Sequence, residues 1–188
     1  MWTDGFCNAL YLRNRHESKG NMPNIKKEIE EKFGNRLRTR VNGILVRDNK
    51  ILMIKHRMGE GRFFWNVPGG GMKYGSSAPE NLIREFKEET GLHIQVDEYL
   101  FLHEFLEPPL HAIELYFAVS VVGGKLELGK DPELDGNSQL ISEIQFLGVD
   151  DIEKISNKEK HAMFWGIKSA DDLGKWKGYF NFGNKCIN

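Results

Sequence analysis

The chain has 188 residues, 40% of them hydrophobic and 28% charged, which suits one globular domain with extra length at its ends better than two full domains. Its 26 lysines and arginines stand against 27 aspartates and glutamates, which excludes the strongly positive field of a long nucleic-acid binder and leaves small anionic substrates open. Cys7 and Cys186 sit near opposite ends with neither metal-ligand spacing nor a disulfide framework, as expected in a reducing cytoplasm, and no stretch approaches the length of a membrane span.

Residues 1–21 show no clear periodicity, and Met22 stands directly before a helical pattern, so the opening segment reads as a loosely attached extension. From Asn24 to Leu37, Ile25, Ile29, Phe33 and Leu37 recur every four positions, the stripe of a short amphipathic helix. Val41 to Val46 and Ile51 to Ile54 are strand-like runs around Asp48-Asn49, whose residue types favour a tight turn, so a β-hairpin is expected. A glycine-rich stretch and a helix follow. Further strands are expected at Ile94 to Phe105, Ile113 to Val122, Lys125 to Leu128 and Ile141 to Leu147, then a helix from Asp150 to Ile155. Only one clear helix lies between strands, which points to an α+β mixed sheet rather than repeated βαβ units. The tail from Lys158 carries Phe164, Trp165, Trp176, Tyr179, Phe180 and Phe182, too much apolar surface for a free solvated end.

The chemistry concentrates between residues 65 and 92. Ser77 and Glu80 have the spacing of a capping box, so a helix should begin at Ala78, and Gly91 is placed to end it. At about 100° per residue, Leu82, Ile83, Phe86 and Thr90 fall in one arc that can face the core, whereas Glu85, Glu88 and Glu89 fall in another. Carboxylates three or four residues apart repel by roughly a few tenths of a kcal/mol each, and anions near a helix C-terminus oppose its dipole. The arrangement reads either as a solvated acidic face, partly neutralised by Arg84 and Lys87, or as a site for a hard divalent cation that holds substrate phosphates. Pro68-Gly69-Gly70-Gly71 just before the helix favours the cation, because a backbone without side chains can approach a metal or a phosphate directly. The glycine spacing matches neither a P-loop nor a dinucleotide-binding fingerprint.

Gly70, followed fourteen positions later by Arg84-Glu85-Phe86-Lys87-Glu88-Glu89-Thr90-Gly91-Leu92, resembles the Nudix box, and Trp65-Asn66-Val67-Pro68-Gly69-Gly70 before it is also similar to that family. The resemblance implies a Nudix-type α/β/α sandwich over residues 39–156, preceded by an extension and short helix at 1–38. It is followed at 157–188 by an aromatic-rich segment packed on the domain or on the partner subunit of a homodimer. It further implies a cytoplasmic hydrolase using Mg²⁺ or Mn²⁺ to cleave a phosphoanhydride bond in a small nucleoside diphosphate derivative: a nucleotide sugar, ADP-ribose, a dinucleotide or a (d)NTP. The alternative is a catalytically weak module that binds or senses a nucleotide. By resemblance Glu85, Glu88 and Glu89 hold the metal, with the Gly70 carbonyl as a further ligand; Arg84 orients Glu85, and Glu85 or Glu89 assists as general base. Two positions depart from the pattern: Ser76 replaces a glutamate, and Lys73 stands where an acidic residue is common. Those departures leave the number of bound ions open.

Outside the box, Glu133, Asp135 and Glu143 lie where family members recruit another acid, against the plainer reading of each as a surface acid. Glu114 is a weaker candidate; strand alternation sets it opposite to Ile113 and Leu115. Among Phe63, Phe64 and Trp65, Phe64 and Trp65 are the candidates for stacking a base, although at least two of the three are expected in the core. The six histidines show no ligand spacing along the chain, so His56, His93, His103 and His111 read as ordinary surface or hydrogen-bonded residues.

Overall fold

The computed structural model describes residues 31, 33–58, 61–129 and 141–182. Strand β1 (Arg36–Ile44) opens the domain; β2 (Val46–Arg47) and β3 (Lys50–Arg57) follow, then β4 (Phe63–Asn66) and β5 (Gly69–Gly71). Helix α1 (Ala78–Thr90) precedes the long strands β6 (Leu92–Glu107) and β7 (Leu110–Gly124), and β8 (Ile141–Gly148) leads into the short helix α2 (Val149–Lys154). A 3₁₀ turn (Ala162–Phe164), helix α3 (Asp172–Lys175) and strand β9 (Gly178–Phe180) complete the described chain.

Two sheets result. One has the order β5-β1-β7-β6-β9, with β1/β7 and β6/β9 parallel and the other pairs antiparallel; in the other, β3 pairs antiparallel with β2, β4 and β8. Successive residues of a strand point to opposite faces, and the central strands feed two cores in this way. Val41, Leu52, Phe117 and Val119 pack with Leu82 and Phe86 of α1. Ile44, Ile51, Met53, Phe101 and Tyr116 face the other way, against Ile152 of α2, Phe164 and Leu173. Helices thus cover both faces, giving the α/β/α arrangement with a mixed sheet expected from the sequence.

The expected hairpin forms between β2 and β3, where Asp48 and Asn49 both adopt positive φ (51° and 55°), the geometry of a tight primed turn. Its partner run is split, however: β1 stays in the larger sheet while β2 crosses to the smaller. The expected helix 24–37 falls largely outside the described residues; Glu31 and Phe33 are helical. It does not reach Leu37, because Asn35 turns the backbone to φ 55° and Leu37 already pairs with His111 in β7. The strand expected at Lys125 to Leu128 is absent. Instead this segment closes the end of α1: Glu127 N–H donates to the Thr90 carbonyl (3.0 Å) and Gly129 N–H to that of Glu89 (2.9 Å), satisfying carbonyls that a helix end leaves unpaired. In the C-terminal segment Phe164 is buried, and Trp176, Phe180 and Phe182 pack against the same core. The ring of Phe101 lies 5.5 Å from each of Trp176 and Phe180. Residues 1–21, both cysteines, Glu133 and Asp135 lie outside the described residues.

Candidate active site

Helix α1 starts and stops where its sequence dictates. Ser77 caps it, with Glu80 N–H donating to the Ser77 hydroxyl (3.4 Å) and Ser77 N–H to the Glu80 carboxylate (2.7 Å). Gly91 ends it at φ 70°, its N–H donating to the Lys87 carbonyl (3.1 Å). Leu82, Phe86 and Thr90 are fully buried as expected, but Ile83 is 41% exposed; it lies at the solvent margin of the arc. The carboxylates are graded by position on the same helix. Glu89, seven residues beyond Leu82 and so only about 20° from it around the axis, is buried. Glu85 and Glu88 face progressively outward, with side chains 13% and 28% exposed.

All three acids are organised by the glycine bend of β5. Gly69 N–H donates to the Glu89 carboxylate (2.9 Å). The Glu85 carboxylate occupies the space above Gly70: a Cβ there would lie 2.3–2.6 Å from its atoms, so any other residue would displace it. Arg84 ties the group together, donating to Glu85 (2.6 Å), to Glu88 (2.7 Å) and to the Gly71 carbonyl (3.5 Å). The sheet registers this bend against β1, with Gly70 opposite Val41 and Gly71 opposite Arg40. Burial raises the Glu85 pKa from its ordinary value; Arg84 opposes the shift and Glu88 adds to it. Three carboxylates against one guanidinium leave these four residues net negative, on a wall of bare backbone. Oxygen donors of this kind, with room for close backbone approach, fit a hard divalent cation.

A second titratable group is buried on the opposite face of the sheet; the sequence offered Glu114 only as a weak candidate and did not join it to His103 and His161. Glu114 of β7 is enclosed, and its Oε2 accepts from His103 Nδ1 (2.9 Å) and the Tyr116 hydroxyl (3.2 Å), with His161 Nε2 at 3.3 Å. Arg40 Nε lies 3.5 Å from Oε1, and the same guanidinium reaches the Gly69 carbonyl (3.4 Å). Ligand-type atoms of His103, Glu114 and His161 all lie within 4.8 Å of one another, the spacing of a metal site. The proton pattern argues otherwise. His161 Nδ1 accepts the Met163 N–H (3.1 Å), so it carries no proton, and Nε2 keeps its hydrogen for Glu114 instead of offering a lone pair to a metal. Burial, outweighing Glu114, lowers the His161 pKa and keeps the ring neutral. Burial would raise Glu114 too, but hydrogen bonds from His103 and His161, with Arg40 nearby, hold it well below the usual range. His103 is hydrogen-bonded, as expected, but the fold gathers it with His161 on one carboxylate, a grouping that spacing along the chain does not show. Register could have brought His103 opposite Glu114, and does; His161 arrives from a remote segment with no local signal.

The remaining sequence candidates are dispersed. Glu143 on β8 is 43% exposed and pairs with Lys55 (3.3 Å), while Gln145 donates to its other oxygen (2.8 Å). Trp65 is buried in the core, its backbone N–H donating to the Glu159 carbonyl (2.7 Å) and Lys55 sitting 5.5 Å from its ring. Phe63 and Phe64 are half-buried, and Lys55 also lies 4.5 Å over the Phe63 ring. Among the described residues, no helix is long and apolar enough to cross a membrane.

Comparison with known proteins places this geometry. The NUDIX domain family model matches residues 36–165. An ADP-ribose pyrophosphatase of Methanocaldococcus jannaschii is 32% identical over 139 residues, 73% of each chain. The 8-oxo-dGDP phosphatase NUDT18 of Homo sapiens is 31% identical over 91 residues, which are 48% of this chain and 27% of that protein. Among solved structures, a UDP-X diphosphatase shares the fold with a TM-score of 0.58 at 20% identity, covering 87% of this chain and 77% of that one. With the matched model spanning the glycine bend and the acidic helix together, the chain belongs to the Nudix family and is a Nudix-type pyrophosphohydrolase.

Proposed function

We propose that the chain hydrolyses the pyrophosphate bond of a small nucleoside diphosphate derivative with Mg²⁺ or Mn²⁺ held by Glu85, Glu88, Glu89 and the Gly70 carbonyl. The observation that carries this reading is the convergence of Glu89, Glu85 and Arg84 on three consecutive glycines, Gly69, Gly70 and Gly71. The group is negative, and its far wall is the bare backbone of three glycines. A divalent cation bound there would neutralise phosphate charge and lower the pKa of a coordinated water.

The residues themselves have distinct tasks. Arg84 fixes Glu85 and Glu88 in one orientation, which lowers the reorganisation needed when substrate arrives. Gly69 N–H pins Glu89 at the end of the bend. Glu85, with its raised pKa, is suited to accept a proton from the attacking water. Identity to the archaeal ADP-ribose pyrophosphatase makes ADP-ribose the first substrate to try. The test is a panel of ADP-ribose, nucleotide sugars, dinucleotides and nucleoside triphosphates incubated with Mg²⁺, with release of nucleoside monophosphate as the readout. Turnover of at least one compound, abolished by a chelator and restored by Mg²⁺, is expected; no turnover on any of them overturns the proposal.

A further inference from the structure

Strand β1 carries Arg36, Arg38 and Arg40 at alternate positions, so the three side chains leave it on one face. Arg40 is matched by Glu114, directly opposite it on β7. Arg38 lies opposite Ala112 instead, sets its guanidinium 4.5 Å over the Phe33 ring, and keeps a buried Nε without a hydrogen-bond partner. The aromatic ring supplies no formal charge, and Glu114 offsets that of the guanidinium in part. On the other side of β1, Arg40 pairs with Gly71, and the bond from Met72 N–H to the Thr39 carbonyl (3.0 Å) carries the antiparallel register one step further. Lys73 follows beyond the end of β5, its backbone N–H donating to Asn81 Oδ1 (2.9 Å), and lines the same cleft as Arg38.

A second cation thus joins the first. Between them and Arg40, Gly71 leaves the ground open, since a Cβ there would meet nothing within 4 Å. The result is an open cleft of about 690 Å³ with Phe33, Arg38, Gly71, Lys73 and Ser76 among its walls. Lys73 and Ser76 are the two positions at which the box departs from its pattern; an acid at either would place negative charge on this wall, whereas lysine and serine supply a cation and a hydroxyl donor. Burial, and after it Arg40 and Arg36, lower the Arg38 pKa to about 10, while Glu114 opposes the shift. The cleft adjoins the acidic group, because the Gly71 carbonyl accepts from the same Arg84 that holds Glu85 and Glu88.

We infer that this cleft is a phosphoryl-group site, in which Arg38 and Lys73, assisted by the Ser76 hydroxyl, hold a phosphate that is not itself cleaved. Its place beside the reaction rests on the pyrophosphohydrolase reading. The phosphate comes either from a further phosphoryl group of the substrate or from free inorganic phosphate, and the experiment separates the two. The full chain is prepared with Arg38→Gln and Lys73→Gln, singly and together. Lys73 is exposed, so its single variant tests the site even where replacing Arg38 impairs folding. If the substrate supplies the phosphate, the double variant raises KM for a nucleoside triphosphate or dinucleoside polyphosphate at least tenfold with kcat changed less than threefold. KM for ADP-ribose then stays within twofold, and Lys73→Arg restores most of the single-variant loss. If free phosphate is the ligand, calorimetric titration of inorganic phosphate without divalent metal gives an isotherm with the parent protein that the variants lose, while every KM is unchanged. Equal KM changes for all substrates without a phosphate isotherm, or no change in either measurement, overturns the inference. The titration needs no turnover, so it stands even where the substrate panel fails.

Discussion

The two buried or half-buried acidic groups of this protein are opposite in design. On α1, three carboxylates share one arginine and a wall of glycine backbone. Between the sheets, one carboxylate, Glu114, is surrounded by Arg40, His103, His161 and Tyr116. The first group has more negative charge than its own residues neutralise and so is poised to take a cation. The second has more donors than its acceptor requires, and its histidine protons point inward at the carboxylate. Proximity of ligand-type side chains alone would select the Glu114 group as the metal centre; the balance of charge and protons favours the group on α1, as proposed above.

The largest expected effect follows from the first group. Glu89→Gln keeps an acceptor for Gly69 N–H while removing a negative charge, so turnover with Mg²⁺ should fall by about 10³-fold or more, on the order of 4 kcal/mol of transition-state stabilisation. The unfolding midpoint in urea should stay level or rise, because relieving repulsion among neighbouring acids offsets the change. Activity within tenfold of the parent would remove Glu89 from the reaction.

The second group should respond in the reverse sense. Glu114→Ala leaves Arg40, His103 and His161 facing a void, and removing one partner of a buried charged cluster costs about 3–5 kcal/mol of stability. The Mg²⁺ concentration giving half-maximal activity should shift less than twofold in any protein that remains folded. A collapse of metal dependence, with stability intact, would erase the distinction between the two groups.

These two groups also differ in how far the sequence exposed them. Ser77, Glu80 and Gly91 are local signals whose geometry depends on a few consecutive residues, and the helix they bound is found as read. The glycine bend and the acidic spacing are equally local. The Glu114 cluster is assembled across three strands and a distant 3₁₀ turn; alternation could place Glu114 on a face, but nothing near residue 114 announces that residue 161 will cover it. The same limit explains Lys125 to Leu128, which has strand composition and is claimed by the helix end, and Ile83, whose place at the margin of the apolar arc left its exposure to the surrounding packing.

A smaller effect is expected with pH. The folded pKa of His161 is lowered by burial, so its contribution to stability is present above the unfolded value of about 6.5 and is lost as pH falls below it. Glu114, lowered as well, loses its contribution only at more acidic pH, below about 4.3. Between pH 7 and 5 the urea unfolding free energy should therefore decline, by up to about 1.4 kcal/mol per pH unit for each proton involved. His56, lowered to about 4 by burial and by Arg40, adds to the decline. His161→Asn, which retains an acceptor for Met163 N–H, should make the slope shallower by about one proton. An unchanged slope would mean that His161 is already protonated when folded, and the argument against metal at that position would lose its basis.

The smallest effect belongs to Glu143, the acid that the sequence offered as an addition to the box. Its partners are Lys55 and Gln145, and both members of the ion pair keep substantial access to water, with side chains 43% and 27% exposed. A pair so placed contributes less than about 1 kcal/mol, because solvent screens the attraction and two mobile side chains must be held still. Glu143→Ala should therefore shift stability by about 0.5 kcal/mol at most and leave kcat within about threefold. A loss beyond tenfold, with the Mg²⁺ dependence displaced, would instead carry Glu143 into the acidic group on α1 and show that the group's negative charge extends past the helix.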